Sequence, residues 1–282
     1  MDNKVLIILG MHRSGTSLIA QWLHKCGMQL GDRLHGADIG NVEGHFEDID
    51  FLQLHRQMLT DQKMSSVGLV YNEIDSIDAY FIKKIRALID FKNSLHTQWG
   101  WKEPRTCLFL SYYREFLSNA NYLVVIRDYH SVVTSLVERD FKSYEKRIYA
   151  RSSYISNAGR FIYTRYWKFI KRNYSHKKFY SRYTAHFLKV WITYNSALLK
   201  HLELSEPGKY VLIEHKALQN KSKELFEVLE SKWQFSLHYE ALGSIFKTDL
   251  ITKKKDISLF VKDQALLKTA DVLYKTLKQF SI

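Results

Sequence analysis

Short, wholly apolar runs that stop on a glycine or a charged residue, each followed by an apolar pattern at helical spacing, organise this chain. Residues 5–9 form the first run, which ends at Gly10 as a strand buried on both faces does. After a polar loop, Leu18, Ile19, Trp22 and Leu23 recur at helical spacing and Gly27 closes that helix. A looser polar stretch covers 31–44, and amphipathic helices are predicted over 51–59 and 80–89. Residues 122–126 form a second buried strand that ends at Arg127-Asp128, with a helix beginning over 132–137. A third strand, 210–213, leads through Glu214-His215-Lys216 into a helix around 225–229. Strands that alternate with helices predict an α/β fold with a central parallel β-sheet flanked by helices.

Length and composition are those of one continuous domain, 1–282. The chain is 46% apolar and 14% aromatic, enough for a sizeable core, and only Pro104 and Pro207 interrupt it. No linker and no internal repeat stand out. Cys26 and Cys107 fit no metal spacing and read as reduced core residues. The start lacks a basic region ahead of its apolar run and a small-residue cleavage site. No run reaches the ~18 apolar residues of a membrane helix. A cytoplasmic protein is expected.

Charge adds a second theme. Of the net +13, a segment from Arg139 to Lys189 carries fourteen Lys/Arg against Asp140 and Glu145. Eight tyrosines and Trp167 lie between Tyr144 and Tyr183. This helical basic insertion suits an acidic or sugar-bearing partner, with rings on sugar faces and cations on carboxylates or phosphates. It equally suits a packed helical pair whose basic stems snorkel to water. Peripheral docking on an anionic membrane surface, at the inner face, is a further reading. Nucleic-acid binding is disfavoured, since no helix-turn-helix or zinc spacing accompanies the basic residues.

The chemistry concentrates in Gly10-Met-His-Arg-Ser-Gly-Thr-Ser17, between the first strand and its helix, where backbone N–H groups and the helix dipole favour a phosphate. Gly10 and Gly15 let the backbone wrap an anion, and Ser14, Thr16 and Ser17 add hydroxyl donors. The spacing is that of a Walker A loop, but Thr16-Ser17 follows the second glycine where a nucleotide triphosphatase has its Lys. The cation comes earlier, at Arg13.

This loop resembles the 5′-phosphosulfate loop of sulfotransferases that use 3′-phosphoadenosine 5′-phosphosulfate (PAPS), in which a basic residue precedes Ser-Gly-Thr-Ser/Thr. A second element of that family is an Arg at the end of a buried strand and a Ser eight residues on, both on the nucleotide's 3′-phosphate. Arg127 and Ser135 match it. Within Trp99-Gly-Trp-Lys-Glu-Pro-Arg-Thr106, Lys102 matches a Lys in a Lys-Asp-Pro-like segment that reaches the phosphosulfate, with Glu103 replacing the commoner Asp. A loop lysine in solvent is the plain alternative for Lys102, opposed by its neighbours Trp99, Trp101 and Pro104. The matches span about the first half of the chain. The second half is covered only by 211–215, similar to the family's strand-plus-Glu segment. The resemblance implies a P-loop-like sulfotransferase fold of the bacterial, carbohydrate- or protein-modifying type. It also implies PAPS as donor, 3′,5′-bisphosphate (PAP) as product, and no required metal. Arg13, Ser14, Gly15, Thr16, Ser17, Arg127 and Ser135 would bind the nucleotide, and Arg13 and Lys102 would stabilise the transferring group.

A general base is expected for the acceptor's proton. Residues 41–50 offer it: Glu47 is the first choice by resemblance to family members with Gly-Tyr/His-Phe-Glu-Asp/Asn, and Glu43 and His45 are the runners-up. Asp48 and Asp50 read as N-terminal dipole compensation for the following helix. His55, His96, His130 and His186 show no pairing with supporting acids and read as surface or packing residues. A hydroxyl or amine acceptor, carbohydrate or glycolipid, is expected. The alternatives are a P-loop kinase or NTPase, for which Asp128 would hold Mg²⁺, and a non-catalytic module that binds anions or nucleic acid.

Overall fold

The computed structural model describes residues 3–36, 44–72, 74, 76–152, 161–246 and 252–282, with the backbone alone for 148–152 and 161–171. Four parallel strands form one sheet: Lys4–Leu9 (β1), Gln98–Lys102 (β2), Asn121–Ile126 (β3) and Tyr210–Glu214 (β4), in the order β2-β1-β3-β4. Ile8 pairs with Lys102, Leu9 with Val124 and Ile126 with Glu214, so the carboxyl ends of the strands emerge on one edge.

The helices are Thr16–Lys25 (α1), Ile49–Asp61 (α2), Ala79–Leu95 (α3), Leu110–Phe116 (α4), Tyr129–Ser152 (α5), Phe161–Glu203 (α6), Ser222–Glu227 (α7) and Gln264–Lys278 (α8). Strand periodicity divides the core between the two sheet faces. Val5, Ile7 and Leu9 pack with α2, α3, α6 and α8 on one side. Leu6 and Ile8 pack with Ile19, Trp22, Leu23 and Leu225 on the other. The sheet is therefore covered on both faces, which explains why β1 and β3 read as unbroken apolar runs.

The structure adds a strand to the three expected. β2 reads Gln-Trp-Gly-Trp-Lys, and its glycine is required: a Cβ on Gly100 would sit 2.2 Å from the Leu6 carbonyl oxygen. Trp99 and Trp101 point to the other face, where the Trp101 ring stacks on Phe51 of α2 at 4.1 Å. A lone Gly between two Trp hides the strand from an apolar-run criterion.

The chain leaves β1 toward β2 on one side and β3 toward β4 on the other. A doubly wound sheet binds ligands at such a switch point, in the crevice at the carboxyl ends of the strands. At the far end of the basic segment, Tyr180, Phe187, Trp191 and Tyr194 of α6 are buried in the core. No helix among the described residues is long and apolar enough to cross a membrane.

Candidate active site

The loop after β1 enters α1 through Gly15, whose φ of 99° is left-handed. A Cβ there would also meet the His215 ring at 2.4 Å, so glycine is required twice over. Gly10 is hemmed in likewise, its missing Cβ lying 2.5 Å from the Val125 carbonyl oxygen. Arg13 holds φ 70° without being glycine, a strain of the kind that collects at functional sites. No side chain caps α1 and its first turn carries no acid. The first amides of a helix have no partner within it, so those of Thr16 and Ser17 suit an anion.

Three arginines converge beside this loop. Arg13 Nε donates to Ser135 Oγ of α5 at 2.9 Å, and Arg127, just past β3, donates to the Arg13 carbonyl at 3.0 Å. Burial, with repulsion from Arg139 and Arg127 in the same direction, lowers the Arg13 guanidinium to about 10. Arg139, four residues after Ser135 and thus on the same face of α5, belongs to this cluster. Composition alone counts Arg139 into the basic segment, whereas its helical spacing from Ser135 sets it beside the loop.

Lys102 ends β2 fully buried and bridges two elements: its Nζ donates to Ser17 Oγ at 3.2 Å and to Glu47 Oε1 at 3.0 Å. It is therefore no solvated loop lysine. Glu47 is buried just before α2, and His45 Nδ1 lies 3.8 Å from the same Glu47 oxygen. Glu43 lies outside the described residues. Asp48 caps α2 by accepting from the amides of Asp50 and Phe51, as expected, and also pairs at 2.9 Å with the buried Lys92 of α3. Lys92 is held by Asp32 and Asp50 as well, so the turn that carries Glu47 is fastened to α3.

Of the four histidines expected as surface or packing residues, His186 keeps the packing role, against Tyr71 and Phe187. The other three face acids: His55 is fully buried with its Nδ1 2.5 Å from Glu103 Oε2, His96 lies 2.7 Å from Asp32, and His130 lies 3.5 Å from Asp256. Their acids come from distant parts of the chain, which spacing alone does not reveal. Of the tyrosines in the basic segment, Tyr180 is buried and donates to Glu138 at 2.7 Å, so for this residue packing prevails over acceptor binding. Asp128 caps α5 through the Ser131 amide and pairs with Lys254 at 3.0 Å, while Glu214 accepts from Tyr274 of α8 at 2.7 Å. No group of three or more His, Cys, Asp or Glu suited to hold a metal ion occurs among the described residues.

The chain matches no protein-family model, and no curated protein sequence matches it. Among solved structures, a sulfotransferase from Mycobacterium avium superposes over 98% of this chain and 77% of its own, with a TM-score of 0.59 at 12% identity. The fold is that of the sulfotransferases. The sulfotransferase domain from the curacin biosynthetic pathway is similar over 99% of this chain and 92% of its own, at 15% identity and a TM-score of 0.47. A sulfotransferase from Alicyclobacillus acidocaldarius covers 99% and 95%, at 11% identity and 0.47. In this fold, the loop after β1, the ends of β2 and β3 and helix α5 carry the residues described above.

Proposed function

We propose that this chain is a PAPS-dependent sulfotransferase. The observation that carries the proposal is the join between the two phosphate elements: Arg13 of the loop is hydrogen-bonded to Ser135, while Arg127 holds the Arg13 carbonyl. A nucleotide with a 5′-phosphosulfate and a 3′-phosphate needs two anion subsites that face one crevice. The loop amides with Ser14, Gly15, Thr16 and Ser17 suit the first, and Arg127 with Ser135 suits the second. Arginines that repel one another gain when a polyanion enters, because the bound charge relieves the repulsion.

In the transfer, the acceptor oxygen or nitrogen forms a bond to sulfur as the bond from sulfur to the bridging phosphate oxygen breaks, and PAP leaves with that electron pair. Arg13 and Lys102 meet the negative charge that develops on the bridging and sulfuryl oxygens, as preorganised donors do in phosphoryl transfer. Glu47 takes the acceptor's proton. Its place beside Lys102 puts the proton acceptor and the stabilising cation within 3.0 Å of each other. His45 stands next to it as a second candidate.

The acceptor is a carbohydrate or glycolipid hydroxyl or amine, and Arg139 suits an acidic group on it or on the nucleotide. Transfer of ³⁵S from labelled PAPS onto fractionated cell extract tests the reaction and finds the acceptor in one step. A labelled product that is lost with Lys102→Ala supports the proposal; no transfer to any fraction, with PAPS intact, contradicts it.

A further inference from the structure

Beneath the crevice lies a polar cluster that the mechanism above does not use. Glu103 has no exposed surface, yet it follows Lys102 directly at the end of β2. Its Oε2 meets His55 Nδ1 of α2 at 2.5 Å, its Oε1 accepts from the Arg105 guanidinium, and His55 Nε2 lies 2.7 Å from the Tyr113 hydroxyl of α4. Arg105 Nε in turn holds the Ser66 carbonyl at 3.0 Å, and the Tyr194 hydroxyl holds that of Gly68 at 2.6 Å.

A buried charge cluster gains little stability over well-packed apolar residues; what it supplies is a fixed geometry. The need for one is visible here. Lys102 belongs to β2, and Glu47 precedes α2, whose main apolar dock on β2 is the flat stack of Phe51 on Trp101. Stacked rings resist separation but permit sliding. The hydrogen bond between His55 and Glu103 joins α2 to the residue just past β2 and is directional, so it sets the register that the stack leaves free.

We infer that Glu103 is a positioning residue for sulfuryl transfer, which acts through His55 and Arg105 to hold Lys102 and Glu47 in reacting register. The inference rests on the sulfotransferase reading and deepens it. Glu103 touches neither donor nor acceptor; it fixes the strand end and the helix that carry the two acting groups.

The test compares Glu103→Gln and Glu103→Asp with the unaltered chain in ³⁵S transfer from PAPS, alongside calorimetric titration with PAP. Glu103→Gln is expected to leave PAP affinity within about threefold and to lower kcat by about 100-fold, the scale of a misplacement near 1 Å, with the KM for PAPS unchanged. Glu103→Asp, which keeps the charge, restores part of the rate. Added to Glu47→Gln, the change is expected to cost clearly less than it does alone, because one of the two residues it positions is already disabled. If Glu103→Gln does not fold, Tyr113→Phe loosens His55 without removing a charge and is expected to lower kcat about fivefold at constant PAP affinity. An unchanged kcat in folded Glu103→Gln, or in Tyr113→Phe if that variant is used, overturns the inference. So does a loss of PAP affinity equal to the loss of rate, since Glu103 would then support the nucleotide loop instead. An unaltered chain that neither binds PAP nor transfers sulfate removes the underlying sulfotransferase reading as well, an outcome distinguishable because it precedes any variant.

Discussion

Arg13 Nε donates to Ser135 Oγ at 2.9 Å across 122 residues of sequence, which ties the loop after β1 to the helix after β3. Arg127 closes the same corner by donating to the Arg13 backbone carbonyl. The two proposed anion subsites are thus one connected structure, and disturbing either is expected to weaken binding of the whole nucleotide.

Arg13→Ala is therefore expected to weaken PAP binding by about 10- to 100-fold, the worth of a charge-assisted contact, and Ser135→Ala by about fivefold. Arg127→Lys keeps the charge but loses the fork, and is expected to cost roughly tenfold. Calorimetric titration of each variant with PAP checks all three values.

Arg139 should behave oppositely in the free and bound protein. Its repulsion helps to lower Arg13, so Arg139→Ala relieves that interaction before ligand binds and gives up in exchange a partly exposed ion pair with Asp140 at 2.8 Å, worth little. The melting temperature of the free chain is expected to stay level or rise, while PAP affinity falls severalfold with a shallower salt dependence. A drop in both would assign Arg139 a structural role instead.

Glu47→Gln is expected to reduce kcat by about 10²- to 10⁴-fold with PAP affinity little changed, as removal of a general base does. A parallel His45→Gln variant separates the two candidates: only the true base abolishes turnover, and the other alters it modestly.

Gly15→Ala places a Cβ against the His215 ring on a backbone that is already left-handed. We expect a loss of stability of about 1–2 kcal/mol and a larger proportional loss of PAP affinity, because the amide cradle must shift. Thermal melts with and without PAP measure both.

Acid should unfold the chain through its buried acids and histidines. Burial raises the Glu103 carboxyl, but Arg105 and His55 outweigh it and hold it at about 2, below its ordinary 4.5. Asp32 is likewise held at about 2, by its hydrogen bond to Lys92 against partial burial, with His96 assisting. Both groups are depressed in the folded state, so their contribution is complete above pH 4.5 and is lost as pH falls toward 2. Melting temperature should begin to fall below about pH 6.5, because burial holds His12 well below its ordinary value and His201 and His215 near 4, and should fall more steeply below about 4.5, a steeper part that Glu103→Gln should flatten.

The sequence made some of this legible and concealed the rest for physical reasons. Residues 5–9 and 122–126 declared themselves because a strand buried on both faces is apolar throughout. The helix after the loop followed from the spacing of Leu18, Ile19, Trp22 and Leu23, and the amphipathic helix expected over 51–59 runs over Ile49–Asp61. β2 escaped because Gly100, needed for the close approach of Leu6, breaks the apolar run. Lys102 drew notice only through its resemblance to a family segment, and the strand that buries it was not visible. His55 looked unpartnered because Glu103 lies 48 residues away, and no local spacing encodes a contact made through the sheet. The basic segment blurred the site in another way. Arg139 belongs to the crevice, but Tyr180 of the same run is core, so composition summed two different environments.

The most direct measurement is calorimetric titration of the chain with PAP in the presence of EDTA, against ATP with Mg²⁺ under the same conditions. Tight, metal-independent PAP binding that collapses in Arg127→Ala is expected, with ATP bound far more weakly. Binding of ATP that requires Mg²⁺, with PAP no better a ligand, would contradict it.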